Sequence, residues 1–293
     1  MTGRWTRRAL GAWVAAVLLF LFVPIITILL YAFNSSNIQS WPLSGLTLKW
    51  FGRTWADPQV RSALLLSVKV GLIATLIALG LGSLAAFGVH KFRFFGREAV
   101  SFLLVLPLAL PGIITGMALN ASFHNAGIGF SLWTIVIGHA TFCIVVVYNN
   151  VLARLRRTSG SLTEASMDLG ANGWQTLRRV TLPLLSTAVI SGALLAFALS
   201  FDEVIVTTFT AGAQNTLPLW IFGAIRLGQQ LPEVNVVVFF VVVLTFIPVA
   251  IAARLAGGGF TSRTEIGPTQ AAPAEPPAAM TSNGPSVMGD YPH

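Results

Sequence analysis

From Ala99 to Ala153 the chain runs for 55 residues without one Asp, Glu, Lys or Arg. A water-exposed domain cannot be built around such a stretch, because its exterior needs a polar coat and roughly 25% of its residues are ordinarily charged. Here only 10% are charged and 55% are hydrophobic. A helix crosses a hydrocarbon core of about 30 Å with about 20 mostly apolar residues, so this stretch is long enough to cross twice. Its break is predicted at His124-Asn125-Ala126-Gly127-Ile128-Gly129, with spans at about 99–122 and 131–153. The same criterion marks Ala9 to Phe33, Val70 to Val89 (starting nearer Ser62 and so including Lys69), 184–206 and 234–254. The expected fold is an all-α membrane protein with six transmembrane helices.

The first run follows Arg4, Arg7 and Arg8, as a secretory signal would. It is far longer than the ~7–15 residues of a signal's apolar region, and no small-x-small cleavage site ends it. It is read as a retained span, with Pro24 inside. A soluble enzyme, a disordered protein and a secreted disulfide scaffold are all excluded by composition, and the single cysteine, Cys143, has no partner for an internal disulfide.

Lys and Arg concentrate on the cytoplasmic side of membrane proteins. With the N-terminus inside, the inner segments hold Arg4, Arg7, Arg8, Lys91, Arg93, Arg97, Arg154, Arg156, Arg157, Arg178, Arg179, Arg254 and Arg263. The outer segments hold only Lys49, Arg53, Arg61 and Arg226, so both termini are expected in the cytoplasm. The net charge of +8 is then an orientation signal, and nucleic acid is not an expected partner. Residues 1–8 form a cytoplasmic N-terminus and 9–256 the six-span domain. The Gly-, Pro- and Ala-rich 257–293 are expected to be a disordered cytoplasmic tail, too poor in apolar surface to offset the entropy of ordering.

The inner segment at about 154–183 does not read as a simple connector. Ser161-Leu162-Thr163-Glu164 has the pattern of a capping box, in which Glu164 reaches back to the first turn. Leu162, Ala165 and Leu169 follow at helical spacing, and Gly170 stands where a left-handed turn would close the helix. Asn172-Gly173-Trp174-Gln175 begins a second helix, and Leu182-Pro183 opens the fifth span. By spacing alone, this pair of short helices is equally a surface element resting on the bilayer or a docking element for a partner.

The residues Glu164-Ala165-Ser166, three more, Gly170, nine more, then Val180-Thr181-Leu182-Pro183 resemble the EAA loop of ABC-importer permeases, Glu-Ala-Ala-x3-Gly-x9-Ile-x-Leu-Pro. Ser166 and Val180 depart from that pattern without disturbing its register. The segments Leu106–Gly116, Ser200–Val206, Leu217-Pro218-Leu219 and Pro232–Asn235 are similar to the second permease subunit of spermidine/putrescine importers, a likeness extending over about 8–256. The resemblance implies a type I importer permease fold in a bacterial inner membrane. It also implies pairing with a second permease, two cytoplasmic ATPase subunits and an extracytoplasmic substrate-binding protein. Glu164, Ala165, Ser166, Gly170, Leu182 and Pro183 would couple the permease to the ATPases. Related permeases carry opines, aminophosphonates, ferric iron or thiosulfate, so the polyamine cargo rests on the whole-chain likeness and on acidic residues.

Those acidic residues are Asp202 and Glu203, at the end of the fifth span. Ionisable groups at membrane depth usually face a cavity or a partner, and acidity suits a cationic cargo; a marker of the outer water boundary is the competing reading. Trp41, Trp50, Trp55, Trp133 and Trp220 fall near outer boundaries, as an interfacial aromatic belt would. Thr216-Leu217-Pro218 begins a short outer helix of about ten residues, too short to span. The lysines Lys49, Lys69 and Lys91 follow Leu48, Val68 and His90, so no Gly-Lys pair exists for a phosphate-binding loop. ATP and magnesium would belong to the partner ATPase, with no cofactor in this chain. His90, His124, His139 and His293 have no ligand spacing, so neither a metal site nor a catalytic residue is expected. An ATP-independent channel or secondary transporter is the alternative class, opposed by the coupling-loop pattern and by the lack of visible repeats.

Overall fold

The structure is a computed structural model that describes residues 3–257, with side chains described as far as Thr245. Its elements in order are α1 Arg4–Tyr31, α2 Lys49–Ala56, α3 Pro58–Lys91, α4 Arg97–Ala109, α5 Gly112–Asn125, α6 Leu132–Arg157, α7 Ser161–Asp168 and α8 Gly173–Thr176. A π turn over Leu177–Thr181 leads into α9 Leu182–Phe201, followed by α10 Ile205–Thr210, α11 Leu217–Leu227 and α12 Leu231–Gly257. The described residues contain no strand, only one antiparallel bridge between Asn34 and Leu46. Two compact units divide the chain at Val242/Val243; the described part of the second is the continuation of α12. Gly257, the first residue of the expected tail, ends α12, and the rest of that tail lies outside the described residues.

α3, α6 and α9 pack together as the centre of the first unit. Lipid tails are as apolar as leucine, so helices in a membrane associate through close packing, which small residues allow. α3 carries such a face: Ala63, Ser67, Gly71, Ala74, Ala78, Gly82 and Ala86 are all buried at spacings of three or four. At Gly82 the approach is closest, where a Cβ would stand 2.8 Å from the Ile144 carbonyl and 3.1 Å from the Tyr148 nitrogen. α6 answers with Cys143, Val147, Tyr148, Val151 and Leu155, packed with Ala196 and Leu185 of α9. The spacing-four series Ala74, Ala78, Gly82, Ala86 was readable in the sequence as a helix-packing face.

α1 is long and apolar enough to cross a membrane and buries none of its side chains against the rest of the described chain. Its exit is anchored: Ala32 packs with Trp50 and Val236, and Trp50 Nε1 donates to the Asn34 carbonyl at 2.7 Å. Trp50 is only 3% exposed and Trp220 7%, so these two belong to the core and not to the expected aromatic belt. They are drawn inward by packing against other elements, a neighbourhood that hydropathy along the chain does not reveal. Trp41, Trp55 and Trp133 are exposed.

The expected third span, 99–122, is not one straight helix. α4 and α5 meet at a bend of 103°. Pro111 has no backbone N–H and pushes Leu110 out of the helical region, to φ −81° and ψ 143°. Four helices are long and apolar enough to cross a membrane, or five if the bent pair is one crossing. The expected short helix appears as α11, with Thr216 before it and Pro218 in its first turn. The fifth span ends at Phe201, five residues before the expected 206.

Candidate functional site

The segment between α6 and α9 is a rigid two-helix knob. α7 closes through a Schellman motif: the Gly170 N–H donates to the Met167 carbonyl at 2.9 Å and the Ala171 N–H to the Ser166 carbonyl at 3.1 Å. Gly170 adopts φ +87°, the left-handed conformation that costs a side-chain-bearing residue about 1–2 kcal/mol. α8 then starts with a full capping box. The Gln175 N–H donates to Asn172 Oδ1 at 2.8 Å, and the Asn172 N–H to Gln175 Oε1 at 2.9 Å. Ser166 Oγ lies 3.1 Å from Thr176 Oγ1, locking one helix to the other. This gives Ser166 a role that an alanine could not fill.

The other expected capping box does not form. Gly160 precedes α7 and makes no side-chain cap; Ser161 is already inside the helix, with its hydroxyl 2.7 Å from Ser159 Oγ. Glu164 is thereby free of the backbone it was expected to cap, exposed on the first turn. Ala165 and Pro183 are also exposed. The knob leaves large apolar groups without cover: Leu169 is 89% exposed and Trp174 67%, alongside Leu162, Met167 and Leu182. Behind it, Arg154 Nε donates to the Leu184 carbonyl at 3.1 Å, tying the end of α6 to the first turn of α9.

Asp202 and Glu203 occupy a break between α9 and α10. They are not equivalent. Glu203 is half-buried, and its Oε1 accepts the Val206 N–H at 2.8 Å, capping α10. Asp202 is exposed, with no such tie to the helix start.

Three residues that sequence reasoning passed over hold this break in place. His139 of α6 is buried, with Nδ1 2.8 Å from Ser200 Oγ and Nε2 2.8 Å from Thr207 Oγ1. The Thr207 hydroxyl donates to the Glu203 carbonyl at 2.7 Å. With that proton committed, Thr207 accepts from Nε2–H. The signal was available: a histidine inside a long charge-free run needs partners. α10 is also held from the other side, where Asn120 Nδ2 of α5 donates to the Phe209 carbonyl at 2.6 Å.

The family described as binding-protein-dependent transport system inner membrane component matches residues 78–265, and the chain belongs to that family. The spermidine/putrescine transport system permease protein PotC of Haemophilus influenzae is 33% identical over 237 residues, 80% of this chain and 91% of its own length. The putrescine transport system permease protein PotI of Escherichia coli is 36% identical over 225 residues, 74% of this chain and 79% of its own. Among solved structures, a bacterial ABC transporter that imports the acidic polysaccharide alginate is similar at a TM-score of 0.62 and 20% identity, over 89% of this chain and 99% of that one. The bacterial alginate ABC transporter in complex with its alginate pentasaccharide-bound periplasmic protein is similar at 0.65 and 17% identity, over 86% and 94%. These structures share the fold. The chain is therefore a multi-pass membrane permease component and not the ATP-hydrolysing enzyme of its system.

Proposed function

We propose that this chain forms half of the translocation pathway of an ATP-driven importer for a polyamine, spermidine or putrescine, in a bacterial inner membrane. A second, similar permease subunit supplies the other half. Two ATPase subunits, which hold ATP and magnesium, and an extracytoplasmic binding protein complete the complex. The chain itself uses no cofactor.

The observation that carries the coupling role is the knob at 154–183, rigid within itself yet uncovered at Leu169 and Trp174. A cleft on the ATPase that covers this apolar face would move the knob as a unit. Glu164 and Ala165 lie on its exposed face, Ser166 and Gly170 hold its shape, and Leu182 and Pro183 pass the motion to α9. ATP-driven closure of the ATPases then biases the permease pair between inward-open and outward-open states, because the partner contacts differ between the two.

Six crossings are formed by α1, α3, the bent α4–α5 pair, α6, α9 and α12. α12 is 27 residues long and carries no Asp, Glu, Lys or Arg from Val234 to Ala253. Cytoplasmic termini agree with the distribution of Lys and Arg. The polyamine cargo is supported by relatives named for spermidine and putrescine over most of the chain. Asp202 offers an exposed carboxylate at the α9–α10 break, and Glu203 adds a second nearby. Reconstitution with the neighbouring-gene permease, ATPase and binding protein tests the reading. ATP-dependent uptake of labelled spermidine is expected. ATPase activity without polyamine uptake would discard the cargo, and uptake by this chain alone without ATP would discard the importer.

A further inference from the structure

Between α3 and α4 the chain turns through Phe92-Arg93-Phe94-Phe95-Gly96, and two hollows adjoin there. One, of about 330 Å³, is lined by carbon: Ala85, Gly88 and Val89 of α3, Phe92 and Phe94 of the turn, and Leu104 of α4. The other, of about 610 Å³, is lined by Arg93, Phe94, Gly96, Arg97 and Glu98. Phe94 is a wall of both, so an apolar groove opens beside a cleft that presents two guanidinium groups. Such a pair matches an amphiphile with an apolar tail and an anionic head.

We propose that this elbow binds an anionic phospholipid, with an acyl chain in the groove and its phosphate between Arg93 and Arg97. Guanidinium groups match phosphate oxygens in a bidentate geometry that a zwitterionic surface does not require. Lys91, exposed on the last turn of α3, adds a third cation. Glu98 is the one acidic group lining the cleft, and it sits in the first turn of α4, where the helix dipole favours a negative charge. Counting Glu98, the elbow keeps a surplus of positive charge. Phe92 and Phe95 are exposed on the same turn and offer further apolar surface to the boundary between headgroups and acyl chains. α3 runs through the apolar region and stops at Lys91, which puts the groove at the edge of the hydrocarbon and the arginines among the headgroups. The site depends on the chain being embedded in a membrane and is independent of the cargo and of the ATPase contact.

The assembled importer in nanodiscs containing phosphatidylglycerol and phosphatidylcholine in equal amounts tests this, with retained lipid counted by native mass spectrometry. The wild type is expected to retain phosphatidylglycerol preferentially. Arg93→Gln/Arg97→Gln should lower that retention about tenfold through the loss of two charge-assisted contacts. Gly88→Leu should fill the groove and lower retention as well, since a Cβ at Gly88 meets nothing within 4 Å. Arg4→Gln/Arg7→Gln/Arg8→Gln, which removes cations elsewhere, should leave it unchanged. The two elbow variants act on different hollows, so either one that assembles decides the matter. Equal retention of the two lipids by the wild type, or full phosphatidylglycerol retention in either elbow variant that assembles, would overturn the proposal. So would displacement of the lipid by inorganic phosphate, or a photo-crosslinker at Phe94 that captures a partner subunit in place of lipid.

Discussion

His139 Nε2 on α6 stands 2.8 Å from Thr207 Oγ1 on α10, a polar tie between the first turn of α10 and the central helices beside the packing of Val206. Its other nitrogen reaches Ser200 on the last turn of α9, so one ring spans the break that carries both acidic residues. His139→Leu removes both links and takes the ring away from the buried Ser200 hydroxyl, while Thr207 keeps its bond to the Glu203 carbonyl. The expected cost is about 1–2 kcal/mol, read as a lower unfolding temperature of the purified complex. If the ring positions the break, His139→Leu also lowers uptake more than Cys143→Ser, a buried change one turn along α6. Equal uptake in the two variants would leave His139 with a packing role alone.

The acidic pair separates by mutation because its members do different work. Glu203→Gln keeps an oxygen that can accept the Val206 N–H, whereas Glu203→Ala removes the cap and costs about 1 kcal/mol of local stability. Asp202→Asn changes charge at an exposed position and should leave stability alone. Under the polyamine reading, Asp202→Asn lowers spermidine uptake about tenfold, the equivalent of ~1.4 kcal/mol, while complex assembly is unchanged. Unchanged uptake in Asp202→Asn/Glu203→Gln would assign the pair to the water boundary.

A third test concerns the ion pair between α2 and α12. Arg53 Nε lies 3.1 Å from Glu233 Oε1, with the arginine side chain 67% exposed and the glutamate 4%. Arg53 also stands over the buried Trp50 ring, its Cζ 5.7 Å from the ring centroid. Arg53→Ala leaves a buried carboxylate with its charged partner gone, at an expected cost of about 1–3 kcal/mol. Arg53→Met/Glu233→Gln should recover part of that loss in a thermal unfolding series. A double variant no more stable than Arg53→Ala would mean the pair contributes nothing beyond packing.

The helices were legible because a lipid-facing chain must keep charge out of its spans, and a count of Asp, Glu, Lys and Arg finds them. The two-helix knob was legible because Gly170, Asn172 and Gln175 act on neighbours within a few residues. What escaped depends on contacts distant in sequence. Trp50 and Trp220 read as interfacial residues until Asn34, Val236 and the α3 face are brought to them. His139 read as an isolated histidine until α9 and α10 fold back across it. The bend at Pro111 was visible as a proline but not as an angle of 103°, because an X-Pro step restricts one residue and leaves the new direction to packing. Ser161 misled for a local reason: Gly160 already turns the chain, and the helix starts one residue early.

The knob makes the sharpest prediction. Gly170 holds φ +87°, and a Cβ there would meet nothing within 4 Å, so any penalty for a side chain is one of backbone conformation and not of space. Valine, branched at Cβ, is a severe outlier in that region, whereas asparagine tolerates it. Gly170→Val should therefore break the Schellman closure, let α7 and α8 lose their fixed angle and part Ser166 from Thr176. Gly170→Asn should keep all three. In the reconstituted importer, Gly170→Val is expected to abolish uptake and to leave ATP hydrolysis no longer stimulated by the loaded binding protein. Gly170→Asn should retain both. A Gly170→Val complex that hydrolyses ATP and imports spermidine at the wild-type rate would show that the turn carries no coupling.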